Sequence, residues 1–197
     1  MNDTAYSTLK FKNLSSMIEN IKDWDNETQA RVDKGVGLFM KGYNCTQAVA
    51  MTFADLYGIP EPLMSRLAAS LGGGMSRMRL TCGTASGIFL LAGLEVTDFL
   101  DSPHGLLPED YTPYPDMMVK KKDYEVVQAL AQDFKKANGS ISCAELLAGA
   151  GCKSALNPSF VPDERNQEYY RKRPCARLVA SAITIYMNYL KNKYAPV

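Results

Sequence analysis

Apolar residues recur along most of this chain at the three-and-four-residue spacing of a helix. Nowhere do they alternate for long with the period of two that marks a strand. Val32, Val36, Phe39, Met40 and Tyr43 predict a helix from Glu27 to Gly42, weakened by Gly35 and Gly37 at about 1 kcal/mol each against alanine. Cys45, Ala48, Val49, Thr52 and Leu56 share one face of a second, from Asn44 to Tyr57, which Gly58, Ile59 and Pro60 end. Pro62 opens a short helix over Leu63 to Leu71, stopped by Gly72, Gly73 and Gly74. From Cys82 to about Leu94 the chain is apolar almost all round, which predicts a helix buried on every side.

Pro115 and Asp116 start a further helix through Ala137, with Tyr124, Val127, Leu130, Ala131 and Phe134 inward. A short helix follows Ser142 and ends at Gly149 or Gly151. The last begins at Pro174, with Leu178, Val179, Ala182, Ile185, Tyr186 and Tyr189 as its stripe. Residues 98–116, with four prolines and His104, read as a loop, as does the polar stretch 152–173. Residues 1–25 carry only scattered apolar positions and suggest a peripheral amphipathic segment; residues 26–197 then form one domain. The expected fold is all-α, a single-domain bundle of about six to eight helices.

Composition narrows the function. A chain of 197 residues is long enough to bury a substantial core. A net charge of +1, with no dense basic stripe, gives no support for nucleic-acid binding. The longest apolar run is shorter than the about 20 residues a bilayer span needs. No basic-then-apolar leader opens the sequence, so the expected compartment is the cytosol. Its five cysteines are there expected to be reduced, and to be metal-binding, catalytic or buried.

The helix starts give the cysteines their meaning. Asn44 followed by Gln47, and Ser142 followed by Glu145, are capping boxes; Thr81 and Pro174 also suit helix starts. Cys45, Cys82, Cys143 and Cys175 therefore each fall at the first or second position of a predicted helix. Unpaired backbone N–H groups and the positive end of the helix dipole favour thiolate there, the species that attacks disulfides and binds metals. Cysteine is also a small buried hydrophobe, so inert packing is the competing reading. There is no C-x-x-C, which excludes thioredoxin-like and zinc-ribbon readings, and no C-x-x-C-H, which excludes covalent c-type haem. The glycine run lacks the Gly-Lys-Ser/Thr ending of a phosphate loop and reads as a tight turn. Of Arg77 and Arg79, at least one is expected to be a solvated surface charge. His104, Asp98, Asp101, Glu109 and Asp110 read as ordinary loop surface.

In these cysteines the chain resembles a family described as redox-active and named for the pattern C, GCAxxG, C, C. The matching runs are Gly42 to Val49, Gly72 to Arg77 with Cys82 to Gly87, Ser142 to Gly149, and Cys175 to Val179. In the middle motif glycine follows the cysteine, and Thr84 stands where members usually carry alanine. Cys152 lies outside the pattern. The family is similar to part of the split-Soret cytochromes, which implies redox activity and an iron–sulfur cluster or other metal on the four cysteines. Haem is not implied, because its attachment sequence is missing.

Three functions follow as expectations. In the first, Cys45, Cys82, Cys143 and Cys175 converge on one redox site that holds an iron–sulfur cluster or a metal, or else cycles between dithiol and disulfide without metal, which would make the chain an oxidoreductase or electron carrier. In the second, the chain is a helical interaction domain with inert cysteines. In the third, one thiolate is a nucleophile, although no base is evident. The redox partner is unknown, no membrane is expected, and a homodimer is left open.

Overall fold

The structure is a computed structural model and describes Ile18 and residues 21–96 and 117–195. Among these residues it is all-α, with no strand. Eight α-helices have described bounds: α1 (Trp24–Met40), α2 (Cys45–Thr52), α3 (Glu61–Ala68), α4 (Gly83–Val96), α5 (Met117–Asn138), α6 (Cys143–Gly149), α7 (Gln167–Lys172) and α8 (Cys175–Tyr194). No helix among the described residues is long and apolar enough to cross a membrane.

The helix α8 is the axis of the core. It packs along α1, α5, α4 and α2, and α4 packs in turn on α2 and α5. Leu178, Val179, Ala182, Ile183, Tyr186, Met187 and Leu190 are its buried stripe. Gly35, which lowers the helix propensity of α1, has a packing reason: a Cβ there would lie 2.2 Å from Ile183 Cδ1 and 2.8 Å from Thr52 Oγ1. As expected, α4 is buried almost all round, from Gly83 through Ile88 and on to Leu91 and Ala92. Ile18 and Trp24 also belong to the core.

Most predicted helices are present, with ends moved by a few residues. Asp23 caps α1, three residues earlier than Glu27 suggests, by accepting the N–H groups of Asp25 and Asn26. The stretch after Asn44 stays helical only to Thr52. Leu56 is buried as expected, and Phe53, Ala54 and Tyr57 are buried with it, but in turns. Arg31, a buried guanidinium, donates to the Thr52 carbonyl at 2.8 Å and pairs with Asp55, so α2 ends on a side chain from α1. Tyr124 is a correction: it is 57 % exposed, and only Leu130 and Phe134 of α5 are fully inward. A second correction is α7, which lies inside the stretch read as loop; Asn166 caps it by accepting the Tyr169 N–H. Residues 98–116, with the readings of Asp98, Asp101, His104, Glu109 and Asp110, lie outside the described residues.

Candidate thiol site

Three of the four cysteines stand where the capping signals put them. Cys45, Cys143 and Cys175 are the first residues of α2, α6 and α8. The Asn44 capping box is complete: Asn44 accepts the Gln47 N–H at 2.9 Å, and the Gln47 side chain accepts the Asn44 N–H at 3.0 Å. At α6 the box is rerouted. Ser142 accepts the Glu145 N–H, but the Glu145 carboxylate takes the Ser140 hydroxyl, whose oxygen accepts the Ser142 N–H at 2.9 Å. Cys82 differs from expectation by one place. The helix α4 starts at Gly83, so Cys82 precedes it, with its sulfur 3.2 Å from Thr84 Oγ1.

Backbone pairing and glycine bring these starts together. An isolated antiparallel bridge joins Thr81 to Ser142. Around it Cys82 N–H donates to Ile141 O at 2.7 Å and Cys143 N–H to Leu80 O at 2.7 Å, which sets Cys82 and Cys143 on adjoining segments. A Cβ on Gly83 would sit 2.5 Å from Cys45 Sγ, and one on Gly74 2.7 Å from Cys143 Cβ. Only glycine permits these approaches. Cys45, Cys82, Cys143 and Cys175 line one cavity of about 430 Å³, which reaches the surface at Ser76 and Phe160. All five cysteines are free thiols. Cys152 is not among the residues lining the cavity; it is half-buried, and its thiol donates to Lys172 O at 3.2 Å.

The segment before Cys82 is unusual. Five consecutive residues, Gly73 to Arg77, have positive φ, and Arg79 follows at φ 64°. The expected tight turn is there, but it extends beyond the glycines into Met75, Ser76 and Arg77. A side-chain-bearing residue costs about 1–2 kcal/mol in the left-handed region. Such strain clusters at functional sites. It turns Arg77 and Arg79 inward, which corrects the expectation of a solvated charge. Arg77 pairs with Asp163 at 2.6 Å, and Arg79 is only 5 % exposed.

For Cys82, Cys143 and Cys175, electrostatics overturn the expectation that a helix start lowers the thiol. Burial, and then the charge of Cys45, push the Cys82 thiol up to about 12. Burial and then Cys45 also raise Cys143, against an opposing pull from Arg79. Cys175 is raised by burial and by the charges of the other three. Desolvation and mutual repulsion outweigh the helix dipole, whose effect amounts to about 0.3–1 kcal/mol at an exposed terminus. The charge of Cys45 is thus felt by each of the other three. Its sulfur accepts the Gly73 N–H at 3.4 Å.

Four thiols suit a metal or a cluster by donor type. Among the described residues no group of three or more His, Cys, Asp or Glu side chains is positioned to hold a metal ion.

The sequence reading missed the cationic wall. Arg165 and Arg173 line the cavity with Arg77 and Arg79, and Asp163 is the one lining carboxylate among the described residues. Arg173 donates to Asp163 at 2.6 Å, and Arg165 lies 4.8 Å over the Phe39 ring while donating to Tyr43 O at 3.0 Å. These residues flank or enter the missed helix α7, and only their density in the polar stretch marks them in advance.

No curated protein and no solved structure matches the chain. A protein family does: the one described as "Putative redox-active protein (C_GCAxxG_C_C)" matches residues 43–189, about three quarters of the sequence, and spans all four cysteines of the cavity. The chain belongs to this family.

Proposed function

We propose that the cavity is a metal-free thiol–disulfide redox centre in which Cys45 attacks and Cys82 resolves. The observation that carries this reading is the shared cavity of four free thiols, with Cys45 Sγ seated against Gly83, next in sequence to Cys82. The Gly73 N–H supports negative charge on Cys45. As thiolate, Cys45 attacks one sulfur of a partner disulfide. A mixed disulfide forms, and the other partner sulfur leaves as thiolate. The Cys45 charge is then gone, which removes one cause of the raised Cys82 value. Cys82 gives its proton to solvent and attacks Cys45 Sγ. The Cys45–Cys82 bond forms, the second partner sulfur leaves, and two electrons have passed to the partner, now a dithiol.

The test is mild oxidation of protein purified without oxygen, read by intact mass and peptide mapping. The expected result is loss of two hydrogens and a linked Cys45–Cys82 peptide pair, with no disulfide of that pair in Cys45→Ser. Stoichiometric iron or zinc in the anaerobic protein would overturn the metal-free reading in favour of a cluster or metal on Cys45, Cys82, Cys143 and Cys175. Four unchanged thiols and no metal would instead favour an interaction domain with inert cysteines.

A further inference from the structure

Among the described residues, Arg79 is a buried charge that the fold leaves without a full set of partners. Its side chain is buried and lines the thiol cavity. Its Nη1 donates to Gly73 O at 3.3 Å, while Nε and Nη2 are buried with no hydrogen-bond partner among the described residues. Those two nitrogens form the parallel donor edge with which a guanidinium grips a carboxylate, phosphate or sulfate in two bonds. Leaving such donors buried and unpaired is costly, so a built site of this kind implies an acceptor.

Among the described residues no oxygen acceptor reaches that edge. Asp163 is committed to Arg77 and Arg173 through both of its oxygens. Cys143, beside Arg79, is held mainly as the neutral thiol by burial. Among the described residues, four guanidinium groups and one carboxylate line the cavity. The remaining wall mixes apolar side chains such as Phe39, Leu146 and Leu178 with the uncharged polar groups of Asn44, Ser76 and Thr84. A volume of about 430 Å³ is that of a small-molecule site.

We propose that the cavity binds a small oxyanion-bearing ligand, gripped by the Nε/Nη2 edge of Arg79 beside the cysteines. Carboxylate and phosphoryl or sulfuryl groups share this chemistry. The site goes beyond the thiol-exchange reading and stands without it.

The test is calorimetric titration of the reduced full-length protein, at constant ionic strength in chloride, with inorganic phosphate, sulfate and acetate in separate runs. At least one is expected to bind saturably at one site. Tighter binding of phosphate or sulfate assigns a tetrahedral anion, and tighter binding of acetate a carboxylate. Arg79→Lys keeps the charge and loses the fork, so binding is expected to weaken at least about tenfold. Asp163→Asn releases Arg77 and Arg173 and is expected to bind more tightly, which keeps the test alive if the Arg79 variant does not fold. Absence of saturable binding by all three anions to the wild type overturns the proposal, as does undiminished affinity in folded Arg79→Lys. Neither result bears on whether oxidation links Cys45 to Cys82.

Discussion

At the scale of single residues, the site depends on atoms that are missing as much as on those present. Gly83 leaves the space that Cys45 Sγ fills, and a Cβ there would also meet Thr46 Oγ1 at 2.7 Å and the Gly72 Cα at 3.2 Å. The backbone contact cannot rotate away. Gly83→Ala is therefore expected to cost about 1–3 kcal/mol by overpacking and to displace the Cys45 sulfur, checked by urea denaturation together with the alkylation rate of Cys45. Gly93, where a Cβ meets no described atom within 4 Å, is the control in the same helix: its change to alanine is expected to raise stability by up to about 1 kcal/mol and to leave the alkylation rate of Cys45 unchanged. The cysteine positions were legible because capping residues are local. Their raised titration was not, because desolvation depends on what distant segments cover. Arg79 illustrates the same limit. A charge two residues from another arginine reads as surface until the left-handed backbone turns it inward.

At the scale of elements, helix starts decide where the chemistry stands. Asn44 both closes the capping box of α2 and donates its side-chain amide to Ala69 O at 2.8 Å, tying the end of α3 to the start of the Cys45 helix. Asn44→Ala is expected to lose about 1–2 kcal/mol of stability, with Asn44→Ser recovering most of the cap but not the Ala69 bond; thermal unfolding of the two variants separates these parts. Long helices with a clear apolar pattern were readable, whether striped, as in α1, α5 and α8, or apolar almost all round, as in α4. The short α7 was not, since its six residues carry no apolar stripe that periodicity can find. With it went Arg165 and Arg173, which complete the cationic wall of the site, and the carboxylate of Asp163. Tyr124 failed for a related reason: it fits the helical spacing of α5, but no helix among the described residues covers that face.

At the scale of the whole molecule, acid–base behaviour sums over the buried groups. Cys82, Cys143 and Cys175 are all held above the ordinary thiol value of 9.0, and Cys82 reaches about 12. Buried Tyr57 and Tyr186, whose hydroxyls bond each other, are raised as well. A folded value above the unfolded one favours the protonated form on folding. This contribution is complete below 9.0 and is lost as pH rises through 12 for Cys82. Urea midpoints are expected to hold steady at neutral pH and fall from about pH 9 upward, with a shallower fall in Cys82→Ser, whose hydroxyl does not ionise there. A stability that stays flat through this range would contradict the burial of these thiols. The placement of the fourth cysteine has a consequence for the newly made chain. Cys175 opens α8, the helix on which α1, α2, α4 and α5 all pack. Synthesis runs from the N-terminus, so Cys45, Cys82 and Cys143 emerge first and wait, as ordinary exposed thiols, for the last helix to arrive. The nascent protein is thus most open to stray oxidation before α8 docks, and completing the core is also the act that shelters its sulfur chemistry.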